Sequence, residues 1–578
     1  MKLRLNKLMA GLTMAGGVAA LVGCGNGGAP DLKVLTPEQP QITAPYKYAF
    51  IFEDAFGKAV TDELTVTVVG DAVDGGELVD ANNADVKGQT YKITNGVLAV
   101  AADFDKTTAK DVFTVVGGNR TLGWNESGIQ ISKSTSSAGD QVIKITLTNT
   151  NAAKVTELNN DTSIGLAMKV ESLPTTTTGT VADTPITIAS PAKTVTNEAA
   201  VAVPVGTATV TIPAGTKAVD SSGAAINLTS GVQVSVTKYS SEDASGLSAF
   251  PGGFTPSVVV PSTAPVGTIG TGATADTGAF TSGGFAQFNV TDPATGQALK
   301  KFDTPLILKI DLPKTTLDFE GNPVVVGGKF PIWSFDQESG KWVYETDGII
   351  KEKSPVDPDK FEVEFPSTHL SYWNLDFYGQ TCDGVLNINR KDANGNSLST
   401  DDRPLSVELK GLSGQGFHME FTITDSILEL ARYPRFTPTK VTVTDSNGVV
   451  RGSKNRVNLC QDNQFVDVTL PITVKASLQV NVTESCKDGV SGIRPSPTNI
   501  KFVPTAGGLT QFGVSSNVGS VARVTLNGIA PTTAGTLSVY NRFTGGYQNS
   551  SVTVNAPSTV RNFNFPSLNC TTGGVPIE

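Results

Sequence analysis

The spacing of turn residues restricts this fold more than any other feature. Apolar and polar residues alternate in short runs such as YKYAFIFED, ELTVTVVG, YKITNGVLAVAA and QVIKITLTNT, and clusters of Gly, Asp, Asn and Pro end each run. Runs of that length with a period of two read as strands. With 59 glycines and 32 prolines among 578 residues, long helices have no room to form. The expected fold class is all-β, built from tandem β-sandwich domains.

One turn device recurs between the runs: Asp, two residues, then Gly. It stands at Asp54/Gly57, Asp220/Gly223, Asp392/Gly395 and Asp445/Gly448. The Asp side chain caps such a turn and Gly accepts positive φ, so each marks a hairpin. In KDANGNSLSTDD, Asp392, Asn394 and Asn396 imitate the start of a calcium loop, but the closing position is Arg403. A calcium site needs a carboxylate there, so no metal is assigned.

The N-terminus reads MKLRLNKLMAGLTMAGGVAALVGCG. Lys2, Arg4 and Lys7 precede an apolar stretch too short to span a bilayer comfortably, which is the pattern of an export signal. Its end, Leu21-Val22-Gly23-Cys24, resembles the lipobox of bacterial lipoproteins. That resemblance implies a signal peptide over 1–23, an acylated Cys24 and attachment to a membrane by lipid. Gly25 after the Cys implies the outer membrane under the family's sorting rule. Residues 24–45 hold several prolines and little apolar content, and are expected to be a flexible tether.

Domains are expected over 46–172, 186–378, 379–475 and 476–578. A Thr-rich stretch, SLPTTTTGTVADTP, reads as a linker or exposed loop between the first two. A soft insertion rich in Gly, Thr, Pro and Ala interrupts the second near Val259 to Gly284.

Four further cysteines reveal a repeat. Cys382 and Cys460 lie 78 positions apart, Cys486 and Cys570 lie 84 apart, and the contexts QTCDGV/ESCKDGV and VNLC/SLNC match. In an exported chain an even count favours disulfides over zinc, for which the sequence has no CxxC and only two histidines. The pairing expected is Cys382 with Cys460 and Cys486 with Cys570, one staple for each copy of a repeated module.

The formal net charge of −10, more negative once the signal-peptide cations are removed, is spread thinly and argues against nucleic acid as a partner. The best catalytic suspect is FPSTHLSYWNLDF, where His369, Ser371 and Asp376 invite comparison with a triad. Strand parity places Phe361, Val363, Phe365, His369, Trp373, Leu375 and Phe377 on one face and sends Asp376 to the other. His369 is therefore expected to be a core residue making one buried hydrogen bond. His418 is expected on a surface or edge strand. Trp333, Trp342 and Trp373 are expected in the core, with stacking on sugars as the sharper alternative. No catalytic residue and no cofactor are assigned.

The series IPAGT, FPGGF, GGFAQFNVTDPATGQALKKF, PIWSFDQESGKW and THLSYWNLD resembles a β module of secreted bacterial proteins, and a related ending occurs in cartilage intermediate layer protein. The flanking modules resemble immunoglobulin-like and transthyretin-like domains. These resemblances imply a surface protein that binds a polysaccharide or extracellular protein, or spaces something from the envelope. The alternative is a polysaccharide-acting hydrolase or carbohydrate-binding accessory protein.

Overall fold

A computed structural model describes residues 44–568 apart from 82, 95, 106–110, 134–138, 175, 177–178, 197–201, 319, 399–402, 413, 436, 472–475, 487–492, 497, 506–509 and 542–545. Cys24, the expected signal peptide and the expected tether lie outside the described residues, as does Cys570. The chain is all-β as expected. Its strands form three β-sandwiches around a larger rolled sheet. Among the described residues no helix is long and apolar enough to cross a membrane.

The three sandwiches, spanning 46–147, 381–469 and 476–568, share one topology. In the first, the opening strand Tyr46–Asp54 lies between Val97–Ala102, antiparallel, and the closing strand Gly139–Leu147, parallel. The facing sheet has Leu64–Val69 and Val112–Asn119 at its centre and Thr90–Ile93 and Trp124–Ser132 at its edges.

The second repeats every pairing. Thr381–Lys391 lies between Ile427–Pro434 and, in parallel, Phe465–Thr469. It faces Leu405–Gly411 and Thr439–Asp445, edged by His418–Ile423 and Val450–Val457.

In the third, Ala476–Cys486 lies between Val521–Ile529 and, in parallel, Ser558–Leu568. It faces Asn499–Pro504 and Thr533–Asn541, edged by Gln511–Val514 and Gly546–Val554. The cysteine spacing pointed to two copies of this unit. The first sandwich, which has no cysteine, is a third.

Between the first and second sandwiches, twelve strands form one sheet. Its path begins at Ile186–Ala189 and Ala208–Ile212, passes through Lys301–Pro313, Lys360–His369, Lys341–Glu352, Lys329–Asp336, Tyr372–Gly379, Ala279–Thr291 and Val232–Tyr239, and ends at Leu166–Leu173. Register breaks at Ser282/Gly284, Lys301/Leu306 and Ile332/Trp333 bend the strands. The two ends of the sheet thus meet over a common core, in which Leu173 and Val234 join Ile188 and Val210. The strand Leu166–Leu173, read from sequence as the end of the first domain, pairs with Val232–Tyr239 of this sheet. The Thr-rich stretch is not a free linker either, because Val181 and Ala182 are buried in the same core.

The modules do not follow one another as a row. The turn Phe250–Phe254 lies where three of them meet. Phe250 stacks on Phe254 and on Trp342, with ring centroids 4.4 and 5.2 Å apart, and Phe254 meets Phe417 of the second sandwich edge-on. Gly252 N–H donates to Gly128 O of the first sandwich at 2.8 Å. Gly252 has φ 77°, and a Cβ on it would stand 2.9 Å from Trp342 Nε1, so both conformation and space require glycine. Gly416 of the second sandwich forms a two-way backbone bridge with Ser282, where a side chain would collide with the Ser282 carbonyl.

Arg432 completes this junction. It is buried, with a left-handed φ of 72°, and its Nη2 donates to Pro256 O at 2.9 Å, Gly278 O at 2.7 Å and Tyr378 Oη at 3.3 Å. One aromatic and aliphatic core runs from Trp333 and Trp342 through Phe417 to Val407 and Val468, without a break between the central module and the second sandwich. Arg432→Ala should strand the buried Gly278 carbonyl, a loss of roughly 1–3 kcal/mol, while Pro256 O keeps its hydrogen bond from Tyr378 Oη. Urea unfolding should show a fall in midpoint far larger than for Arg435→Ala, whose side chain is exposed.

Candidate functional site

The stretch singled out from sequence forms two strands, Lys360–His369 and Tyr372–Gly379, with Leu370 and Ser371 between them. Both keep the expected parity. Phe361, Val363, Phe365, Trp373, Leu375 and Phe377 all enter the core of the rolled sheet. His369 ends its strand beside Trp373, ring centroids 4.9 Å apart, but it is only half-buried. The expected core histidine is therefore corrected. Its strand ends at the margin of the core, and its Nε2 meets Glu345 Oε1 at 3.4 Å across a partly solvated gap.

Glu345 occupies a β-bulge. Ile332 pairs with Thr346 and Trp333 with Tyr344, which leaves Glu345 without a cross-strand partner. Ser334 Oγ donates to Glu345 Oε1 at 2.6 Å. Burial pushes the Glu345 carboxyl up, but the hydrogen bonds from His369 and Ser334 outweigh it and hold the group below its usual range.

A cleft of about 380 Å³ opens beside it, walled by Pro261 to Pro265 of the insertion and by Lys329, Tyr344, Thr346, Asp347 and Ile349. Asp347 accepts from Tyr344 Oη at 2.9 Å and pairs with Lys329 at 3.4 Å, so both carboxylates of the cleft already have structural partners. The Tyr344 hydroxyl is pushed up to about 12, first by burial and then by Asp347.

The imagined triad does not assemble. Ser371 Oγ donates to Phe335 O, and His369 turns to Glu345 instead of Asp376. Ser367 Oγ lies 3.5 Å from His369 Nδ1, but it donates to His369 O and accepts from His369 N–H, which occupies it with its own backbone. The opposite face of Tyr372–Gly379, to which parity sends Asp376, is buried as completely as the first. There Asp376 accepts from Asn374 Nδ2 through Oδ2, while Oδ1 has no hydrogen-bond partner among the described residues. Burial drives its carboxyl well above the usual range.

Sugar stacking on the tryptophans is not available. Trp333, Trp342 and Trp373 are all enclosed, and the indole N–H groups of Trp333 and Trp342 donate to the Asp376 and Pro251 carbonyls at 2.9 and 2.8 Å. His418 begins the edge strand His418–Ile423 and pairs through Nε2 with Glu408 at 3.1 Å. In the Asp392 loop, Oδ1 accepts the amides of Asn394 and Asn396 and Oδ2 accepts Asn396 Nδ2, so the carboxylate that would open a calcium loop faces donors.

Cys382 and Cys460 form a disulfide within the second sandwich, Cα atoms 5.7 Å apart. Cys486 is buried and disulfide-bonded, and it lies opposite Leu568 in the parallel ladder, two positions before Cys570 in the chain.

One polar cluster escaped the sequence reading. Lys238 is wholly buried, donates to Tyr239 O at 2.7 Å, and is pushed down to about 7, chiefly by burial and then by the nearby Lys360 cation. Asp311 beside it accepts from Thr207 N–H at 2.7 Å and from Lys353 at 2.5 Å. The signal was present in VQVSVTKYS: Lys238 shares parity with Val232, Val234 and Val236, whose side chains build the core.

His369→Ala should cost no more than about 1 kcal/mol, the range of a solvent-screened polar contact, and leave the melting temperature nearly unchanged. Asp376→Asn should do the opposite of most buried substitutions. A carboxyl whose folded value is raised contributes its full stability only below the unfolded value, and loses it as pH rises through the folded one. The variant should therefore be more stable than wild type at pH 7 and converge with it near pH 4; urea midpoints across that range measure the crossing.

No family model matches the sequence, and no curated protein matches it. Among solved structures, the Bacillus anthracis TIE protein aligns over 69% of this chain and 57% of its own length, at 10% identity and a TM-score of 0.14. The major pilin subunit BcpA of Bacillus cereus aligns over 90% and 98% at 8% identity and a TM-score of 0.13. The minor pilin GBS52 of Streptococcus agalactiae aligns over 31% and 94% at 9% identity and a TM-score of 0.15.

Proposed function

We propose that this chain is a lipid-anchored protein of the cell envelope, held at the outer membrane through Cys24, that acts as a surface-binding or structural spacer protein. The observation that carries the reading is the way the modules are joined. The first and second sandwiches share buried contacts with the rolled sheet: Phe254 on Phe417, Arg432 on the Pro256 carbonyl, and Thr114 Oγ1 on Gly340 O at 2.8 Å. The first and second sandwiches also meet directly, through Lys144 and Glu420 at 2.9 Å.

Such a body presents its loops and strand edges in fixed relation, which lowers the entropy lost when they engage a partner. That suits a binding or spacing role, with a polysaccharide or an extracellular protein as the ligand class. The side chains nearest to a catalytic arrangement, Glu345, His369 and Ser367, are engaged with one another and with backbone, which favours this reading over a hydrolase.

Protease shaving of intact cells expressing wild type and Cys24→Ala tests the placement. Wild type should be cleaved at the surface, and the variant should be released or protected. Protection of both would remove an outward-facing role.

A further inference from the structure

The three sandwiches share a topology, so their corresponding strands can be compared as internal controls. One edge strand differs from its two counterparts. In each facing sheet the last strand, Trp124–Ser132, Val450–Val457 or Gly546–Val554, has a strand on one side only. Such an edge pairs with another chain unless it is covered, bent or charged.

The first edge is covered. Gly128 O accepts from Gly252 N–H, Gln130 N–H reaches Gly252 O at 3.4 Å, and the central module lies against it. The second is bent and charged. Its ladder with Thr439–Asp445 shifts register twice, and it carries Arg451, Lys454 and Arg456.

Among the described residues the third has neither protection. Gly546–Val554 pairs with Thr533–Asn541 in nine consecutive positions without a bulge. Its sequence, GYQNSSVTV, contains no charge and no proline, although the whole chain carries a net −10. Gln548, Asn549, Ser551 and Thr553 are exposed, while Val552 and Val554 face the sandwich core.

We propose that this edge pairs with the same edge of a second copy of the chain, antiparallel about a two-fold axis. Centred on Ser550, the middle of the strand, the pairing sets Asn549 opposite the partner copy's residue 551. Odd positions then meet odd and even meet even, which keeps Asn549, Ser551 and Thr553 on the solvent face and Val552 and Val554 on the core face. The two four-stranded sheets would then run on as one sheet of eight.

A second copy fits this edge better than a different partner because self-pairing sets each side chain of the strand against another from the same strand. A charge there would meet its own sign nearby, and this strand has none, whereas the charged second edge could not pair this way. Copies tethered to one membrane also share an orientation, which a two-fold axis along the membrane normal requires. That last point rests on the lipid anchoring proposed above; the pairing itself does not.

Sedimentation velocity on the unacylated chain, over a concentration series, separates the two. Wild type should shift from monomer to dimer as concentration rises. Asn549→Lys/Ser551→Lys and Asn549→Glu/Ser551→Glu should each stay monomeric with an unchanged melting temperature, since all four side chains are solvent-facing. An equimolar mixture of the two variants should restore the dimer. A wild type that stays monomeric, a dimer that survives in either variant, or a mixture that fails to associate would each overturn the proposal. A monomeric wild type that is nevertheless shaved from cells would leave the envelope reading standing.

Discussion

The arrangement of the modules depends on the turn from Phe250 to Phe254. Its two phenyl rings fill the gap between Trp342 and Phe417, and its glycine backbone reaches the edge of the first sandwich. Pro251 O caps the Trp342 indole, and a few residues on, Pro256 O receives Tyr378 and Arg432. Aromatic burial supplies the free energy here, while the donors fix the geometry. Apolar surfaces alone would slide against each other, but a carbonyl already matched to an arginine cannot shift without losing that bond in a dry place.

Much of the fold was legible because strand patterning is local. Alternation identified the strands, and parity correctly sent Phe365, Trp373, Leu375 and Phe377 to one core even across the break at Leu370 and Ser371. The Asp-x-x-Gly turns were legible for the same reason. Asp54, Asp220, Asp392 and Asp445 each accept the amides two and four residues on, and Asp318 with Gly321 does the same. What was not legible is long-range. The parallel pairing of first and last strands defines the repeat, yet it joins residues 78 to 93 positions apart, as in Asn387 with Phe465 and Tyr46 with Gly139. Only the copies that carry cysteines left a mark of it in the sequence.

The candidate site failed for a related reason. Parity tells which face a residue takes, not what covers that face. Asp376 was rightly placed opposite Trp373, but the second sandwich and the insertion bury its side of the sheet too. His369 was rightly placed on the apolar parity, but the strand ends there and the core with it. Glu345 could not be found at all, since the bulge that turns it toward His369 is a property of pairing between two strands and not of either one.

Lys238, Asp376 and Arg432 are all buried polar groups in or beside the rolled sheet, and two of them are titratable groups that burial pushes toward the neutral form. Each weakens the fold relative to a well-packed apolar residue. Their positions explain what they contribute instead. Lys238 lies under Gly284, where a Cβ would stand 2.7 Å from its Nζ, and Gly284 marks the bulge that bends Ala279–Thr291. Arg432 holds the carbonyls of Pro256 and of Gly278 in the insertion, and the backbone carbonyl of Asp376 accepts the Trp333 indole N–H. A sheet of twelve strands can roll in many registers of similar apolar burial. Polar groups that are satisfied, or nearly so, in only one of them penalise the others more than they cost the native one.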